Sequence, residues 1–426
     1  INWLSEFGLT KGVSNLEITL GQMSFWHIFQ AGFSHFSDSF LRINAVLLII
    51  YLIYIFEKKS WLHLCFLPIF YLFSQSPSPD LPVIIFSLVL LGKLLNKQNS
   101  PLLFAFSVFV FCIKPTMLWL PIFSFVHLCF YNKGGKWRSI IFGIAILFLF
   151  FIKNIWTFGY PVFPVQVLDL SFGWKPNPEF LKVSSETAIQ KTYDMQYSLT
   201  EIQNFSFSEM MINWLFLDGI KSFIHILFVL FLLVFTIFTF IKKEKIITIL
   251  YISILLKTIL VLVFSAQYRF FIDVFFVVVF VMFFKGFSQK KAISFFTILC
   301  IPILGCLSFP EFLQKQIPSF RVGSFMYGFD KKQFYKPSFF QLNQYKTHTI
   351  GNLEFNVPIG YPVGFDIPQP AISPYFMGEN YKLGIFPQKV GEDIHNGLIW
   401  KKLSQEDQQK LQTILSEIKA SEKLSQ

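Results

Sequence analysis

The chain has 426 residues, of which 54% are hydrophobic and only 14% are charged, and its formal net charge is +11. A soluble domain carries about 25% charged residues, so this composition excludes a soluble globular protein and predicts an integral membrane protein that crosses the bilayer many times. The Lys and Arg residues lie in short clusters between apolar runs, an arrangement that argues against a nucleic-acid-binding face.

The first segment, residues 1–42, is moderately apolar and contains the run GQMSFWHIFQAGFSHF at 21–36. His27, Gln30 and His35 interrupt that run, so we expect a helix that lies in the membrane interface rather than one that spans it. The chain begins with Ile1 rather than Met. We therefore expect the natural N-terminus to be missing from this sequence.

Ten apolar segments follow, and they predict an all-α transmembrane helical bundle with six spans in 43–152 and four in 217–308. Lys114-Pro115 divides the long apolar stretch 101–131, because a proline disfavours helix in the residue before it. Several segments are shorter than the roughly 20 residues of a perpendicular span, so their helices are expected to extend into the linkers. The segments are 43–56, 61–75, 81–95, 101–113, 117–131, 139–152, 217–241, 246–264, 270–284 and 292–308.

Basic clusters occur at every second linker between these segments. Because cytoplasmic loops are enriched in Lys and Arg, this alternation places residues 1–42, the loop 153–216 and the tail 309–426 outside the cytoplasm. The tail contains a run of aromatic, Pro and Gly residues at 353–365 and a polar, helix-favouring stretch at 403–426. We expect a small mixed α/β domain there.

The sequence lacks the motifs of several soluble enzyme classes. It contains no GxGxxG, P-loop, HExxH or GxSxG motif, so nucleotide hydrolysis and soluble-hydrolase chemistry have no support. Its five cysteines all fall in apolar segments and suggest neither a disulfide framework nor a metal site. No cofactor is indicated, although a divalent metal is not excluded.

Candidate functional residues lie at the predicted outer ends of the helices. Asp80 follows the run SPSP and is interpreted either as a helix cap or as part of a polar cavity. Lys114 either extends to the lipid headgroups or binds a phosphate within the membrane boundary. Lys153 and Asn154 supply donors at the membrane surface, where aromatic residues such as Tyr160 commonly act as anchors.

Two further charges lie in the last spans. Arg269 and Asp273 are four residues apart, so on a helix they share a face and can neutralise each other. Arg is nevertheless the side chain best suited to hold a phosphate. Lys257 is an isolated charge in the middle of a span, and Asp218 is one candidate for its partner.

Several strings resemble, in order, those of a large bacterial family of polytopic membrane proteins related to the GT-C glycosyltransferases. Glu17 departs from the family pattern, which favours His at that position. Later strings at 76–80, 114–116, 153–164 and 268–270 are also similar, as is the tail around Pro358. In the opening segment the matching residues are Trp3, Glu6, Gly8, Gly12, Asn15, Leu16, Ser24 and Trp26.

The resemblance implies a GT-C-like architecture in a bacterial inner membrane, a polyprenyl-phosphate sugar as donor and a lipid-linked or cell-surface acceptor. It implies direct displacement at the anomeric carbon, with a carboxylate as general base and cations on the leaving phosphate. Glu6 and Glu17 are secondary candidates for that base, whose main candidate is expected before Ile1, with a missing first helix that the resemblance also implies. The expected phosphate-binding residues are Lys114, Arg269, Asn154 and Lys153, supported by Asp80, Tyr160 and Asp273.

Three other functions remain open at this stage. An O-antigen polymerase or ligase would use similar lipid-linked sugars on a different helical scaffold. A flippase or transporter would usually show internal repeats, and none is visible in the sequence. A non-catalytic scaffold of polysaccharide assembly fits the same pattern of residues.

Overall fold

The computed structural model describes residues 1–34, 41–98, 100, 102–131, 136–309, 311–312, 315, 344–360, 364 and 367–424. The chain divides into two compact units. A mixed unit consists of Ile1–Ser39, Phe148–Thr187 and Phe339–Gln426, and a helical unit consists of Phe40–Leu147 and Ala188–Ser338.

Each of the ten apolar segments of the sequence contains helix, so the described chain is mostly helical, as the sequence predicts. Residues Trp61–Phe66 form a 3-10 helix ahead of α4. Polar helices α9, α10 and α11 occupy the region between α8 and α12. The helices from residue 43 to residue 308 are α3 Ile43–Lys58, α4 Leu67–Phe73, α5 Asp80–Leu95, α6 Leu102–Ile113, α7 Trp119–Tyr131, α8 Lys136–Phe158, α9 Pro178–Thr192, α10 Leu199–Asn204, α11 Phe207–Leu215, α12 Ile220–Lys242, α13 Lys245–Phe264, α14 Ile272–Phe283 and α15 Gln289–Ser308.

Three helices of the described chain, α8, α12 and α13, are long and apolar enough to cross a membrane. The expected extension into linkers occurs in α8, which begins before residue 139 and continues to Phe158. Gly159, with φ +85°, follows the helix directly. The first residues of the predicted outer loop are therefore the last turns of α8. The count of ten spans and the side on which the tail lies stay predictions.

The break predicted at Lys114-Pro115 is confirmed. Lys114 has an extended backbone, with φ −146° and ψ 107°, and Pro115–Met117 form a single 3-10 turn between α6 and α7. The proline has no backbone N–H to donate and excludes the helical conformation for the residue before it. An apolar run that could have formed one long helix consequently forms two, and a lysine stands at the break.

The mixed unit contains a small sheet region close to the end of the chain, as the tail sequence predicts. Strands β1 Tyr345–Ile350 and β2 Leu353–Pro358 form one antiparallel hairpin, with Ile350 opposite Leu353. Strands β3 Ile385–Lys389 and β4 Leu398–Lys402 form a second hairpin. The helices of this unit, besides parts of α8 and α9, are α1 Asn2–Phe7, α2 Phe25–Ser34, α16 Pro374–Leu383 and α17 Gln405–Leu424.

The core of the mixed unit combines residues from both ends of the chain. Buried Trp3 and Leu16 belong to the same apolar cluster as Phe355, Leu398 and Leu411. Polar contacts strengthen this association, because the Asn15 side-chain amide donates to the carbonyl oxygens of Gly12, Trp174 and Leu398 at 3.0, 2.7 and 3.1 Å. The opening segment, the stretch after α8 and the tail thus form one structure.

Candidate functional site

Asp80 is the first residue of α5, and Pro79 occupies the capping position before it. The Ser78 hydroxyl donates to the Asp80 carboxylate at 2.9 Å, and the backbone N–H of Asp80 donates to the Ser78 hydroxyl at 3.2 Å. A carboxylate in the first turn is also favoured by the helix dipole. These contacts hold Asp80 at the helix end but leave its second oxygen for another partner.

That partner is Lys114, whose ammonium group forms an ion pair with the Asp80 carboxylate. The same ammonium donates to the backbone carbonyl oxygen of Arg269 at 3.2 Å and lies 5.4 Å from the ring centre of Phe270. The break between α6 and α7 therefore directs Lys114 toward α5 and the segment before α14. Its ammonium group is paired rather than extended alone toward lipid headgroups.

Arg269 lies in the 3-10 turn Tyr268–Phe270, immediately before α14. A small cavity of ≈ 10 Å³ is lined by Asp80, Lys114 and Arg269, together with Asp273 and apolar side chains. This volume is about that of one water molecule, so a larger anion needs the charged side chains to turn outward. Three of the charged residues chosen from the sequence, Asp80, Lys114 and Arg269, do come together.

The expected pair between Arg269 and Asp273 is not the one that forms. Asp273 instead forms an ion pair with Lys257 and accepts a hydrogen bond from the Trp119 indole N–H at 2.8 Å. The four-residue spacing fails because Arg269 precedes α14, which begins at Ile272, so the two residues do not share a helical face. Asp218 is likewise not the partner of Lys257. The Lys257 and Asp273 side chains are only 1% and 6% exposed.

A further cation near Arg269, Lys191 on α9, was missed by the sequence analysis. Burial lowers the pKa of Lys191, and the positive charge of Arg269 lowers it further. The end of α9 is tied to the segment before Arg269, because Ser265 donates to the Ala188 carbonyl at 3.1 Å and the Ala266 N–H donates to Thr192 at 3.2 Å. A lysine in a polar helix looks like an ordinary solvated residue, so the sequence carries no signal for this placement.

Lys153, Asn154 and Tyr160 belong to the mixed unit. The Lys153 ammonium donates to the Met23 carbonyl at 2.6 Å, and the Asn154 amide donates to the Pro161 carbonyl at 2.7 Å. Tyr160 is buried and contacts Phe158. These contacts fix the turn that follows α8. That these residues share a phosphate site with Lys114 stays a prediction.

The two candidate bases also belong to the mixed unit. Glu6 is exposed on α1. Glu17 accepts a hydrogen bond from the backbone N–H of Ser373 at 2.5 Å, and Ser373 is the residue that caps α16. Burial raises the pKa of Glu17, and the contacts with Ser373 oppose that change. The carboxylate therefore joins the opening segment to the start of α16, which is a structural role in its own right.

Among the residues that the structure describes, no three His, Cys, Asp or Glu side chains are grouped closely enough to hold a metal ion. The cavity beside Arg269 is lined by cations and by the carboxylates of Asp80 and Asp273, which form ion pairs with Lys114 and Lys257. Such a donor set suits an anion better than a metal ion.

A family model described as a domain of unknown function, DUF8201, matches residues 1–276. The match includes α1 through the start of α14 and so contains Asp80, Lys114, Arg269 and Asp273. Since it covers more than half of the chain, the chain belongs to this family. No curated protein and no solved structure gave a match.

Proposed function

For a chain that belongs to this family, we propose the function of a GT-C-like membrane glycosyltransferase. It would move a sugar from a polyprenyl-phosphate donor to a lipid-linked or cell-surface acceptor in the assembly of envelope polysaccharide. The observation that carries the proposal is the meeting of Lys114 and Arg269 beside one cavity, at the ends of apolar helices. A polyprenyl-phosphate sugar carries its negative charge on the phosphate, next to its apolar chain, and so suits cations at the ends of apolar helices.

The local charge balance favours an anion as ligand. Lys114 and Arg269 contribute two positive charges at this cavity and Asp80 contributes one negative charge, an excess of one positive charge, and Lys191 adds a further cation near Arg269. Asp273 adds nothing to this balance because Lys257 neutralises it. An anion that is shielded from water gains most from such an excess.

The cations have distinct roles in the proposed transfer. Arg269 offers several N–H groups in one plane and can hold two phosphate oxygens, whereas Lys114 offers a compact charge that exchanges its ion pair with Asp80 for one with the phosphate. Both would stabilise the charge that develops on the phosphate as it leaves the anomeric carbon. The ion pair with Asp80 holds Lys114 in place until the donor arrives.

Binding of a polyprenyl-phosphate sugar to the purified protein in nanodiscs tests this assignment. Lys114→Ala and Arg269→Ala should each weaken binding by roughly 1.5–3 kcal/mol, as expected for one charge-assisted hydrogen bond. Arg269→Lys keeps the charge and should lose less. Lys346→Ala, which removes an exposed ion pair with Glu417, is the matched control and should leave affinity unchanged.

Unchanged donor affinity in both Lys114→Ala and Arg269→Ala, with thermal stability preserved, would refute the phosphate assignment. The same preparations should be assayed for sugar transfer, since a flippase would bind the donor without transferring its sugar. The buried pair Lys257–Asp273 favours that second candidate, because ionisable pairs inside apolar helices are typical of transporters. Movement of a lipid-linked sugar across liposomes, abolished by Lys257→Met, would support transport instead.

A further inference from the structure

An exposed apolar surface lies in the mixed unit, where α8 ends and the chain turns. It contains Leu9, Trp156, Val167, Leu168 and Leu170, all of which expose large apolar side chains. Leu168 is 69% exposed and Trp156 is 45% exposed. The Trp174 indole N–H donates to the Ile155 carbonyl at 2.9 Å and the adjacent Lys175 pairs with Asp169, which places residues 167–170 beside the end of α8. Single exposed apolar residues are common on proteins, but a group of them in one place marks an interaction surface.

Hydrogen bonds hold Trp156 against the opening segment. The Trp156 indole N–H donates to the Leu9 carbonyl at 2.8 Å, and the Gly12 N–H donates to the Trp156 carbonyl at 2.8 Å. The Lys11 ammonium group lies 4.7 Å from the ring centre of Trp174 and 5.9 Å from that of Trp156. A fixed tryptophan with a lysine beside it is the combination that proteins place at the level of lipid headgroups.

The surface continues one face of α8, a helix long and apolar enough to cross a membrane. Phe148, Ile152 and Trp156 are all exposed and are spaced four residues apart, so they form one stripe along the helix. Trp156 ends this stripe and also belongs to the exposed surface. A stripe that faces lipid therefore reaches the surface without interruption.

We propose that Leu9, Lys11, Trp156, Val167, Leu168 and Leu170 form a membrane-docking surface that enters the bilayer interface at this end of α8. The apolar side chains reach the boundary between headgroups and acyl chains, and Lys11 contacts the phosphates of anionic lipids. Asp169, the acidic residue among them, does not repel the membrane because it pairs with Lys175 at 2.6 Å. The surface sets the depth at which the mixed unit sits on the membrane, and it does so whether or not the chain transfers sugar.

Photo-crosslinking tests the proposal. The full-length protein would carry benzoylphenylalanine in place of Leu168 and be placed in nanodiscs of phosphatidylcholine and phosphatidylglycerol. Tyr345, which is also in the mixed unit and is 40% exposed, gives the matched control position. The probe at residue 168 should crosslink to phospholipid severalfold more than the probe at residue 345. Equal lipid crosslinking at the two positions, or crosslinking of residue 168 to a second polypeptide instead of lipid, overturns the proposal.

A second arm of the experiment tests the lipid charge. Lys11→Gln should lower the ratio of phosphatidylglycerol to phosphatidylcholine adducts at residue 168 by up to about fivefold. Lys419→Gln, a change at an exposed lysine on α17, should leave the ratio unaltered. A ratio that is the same in Lys11→Gln and the unsubstituted protein would remove Lys11 from the surface.

Discussion

The buried ion pair Lys257–Asp273 gives a stability prediction that can be worked through quantitatively. Replacing Lys257 by Met leaves the Asp273 carboxylate without its counter-charge among apolar helices. Such a carboxylate can avoid the full cost of a buried charge by taking up a proton, which costs about 4 kcal/mol at neutral pH. In the reverse change, Asp273→Leu, an isolated Lys257 can lose its proton at a cost of about 5 kcal/mol.

These two costs of changing a protonation state agree with the roughly 3–5 kcal/mol expected when one partner of a buried pair is removed. The double variant Lys257→Met/Asp273→Leu leaves no charge behind, and its remaining loss comes from the Trp119 indole N–H, which loses its acceptor. An unpaired buried donor costs about 1–3 kcal/mol. The double variant should therefore be more stable than either single variant.

The free energy of unfolding in mixed micelles, measured by titration with a denaturing detergent, checks this cycle. We expect a coupling energy of about 3 kcal/mol or more between the two positions. The exposed pair Lys346–Glu417 serves as control and should show coupling below about 1 kcal/mol. Losses that simply add in the double variant would refute the argument, because they would mean that neither side chain depends on the other for its charge.

Three further predictions concern residues outside the predicted spans. Burial raises the pKa of Glu17 in the folded protein, so its contribution to stability is present below about pH 4.3 and is lost as the pH rises through the raised value. Glu17→Gln should therefore be more stable than the native chain at neutral pH and equally stable in acid. Melting curves recorded across this pH range measure the difference. Asn15→Asp exchanges a donor to three carbonyl oxygens for a carboxylate and should lower the melting temperature strongly, whereas Asn15→Ala should lower it less. A reporter fused after Gln426 should be active only outside the cytoplasm, and cytoplasmic activity would reverse the proposed topology.

The helices were predictable because apolar runs and prolines act locally. The break at Lys114-Pro115 depends on the steric restriction of a single dipeptide, so sequence alone located it correctly. The sequence could predict that Asp80 and Lys114 lie near each other, since both residues stand at helix ends. Their direct ion pair, however, depends on how α5 packs beside the break, and no local pattern encodes that.

Partners that are distant in sequence were the part that could not be predicted. The four-residue spacing suggested that Asp273 pairs with Arg269, and that inference was wrong because α14 begins only at Ile272, after Arg269. Lys257, sixteen residues away from Asp273 in the chain, is the actual partner. Arg269→Ala therefore should not release a negative charge against a bound phosphate, and its effect should reflect the lost guanidinium alone.

The construction of the mixed unit from the two ends of the chain has a consequence for biosynthesis. Trp3 and Leu16 leave the ribosome early, but Phe355 and Leu398, which share their core, are made more than three hundred residues later. At typical rates of translation this delay is on the order of 20–70 s. During that time the nascent opening segment exposes its apolar side chains while helix after helix is inserted. A ribosome that stalls before β2 would therefore leave a membrane-inserted intermediate with an uncovered core, a form that quality-control proteases can recognise.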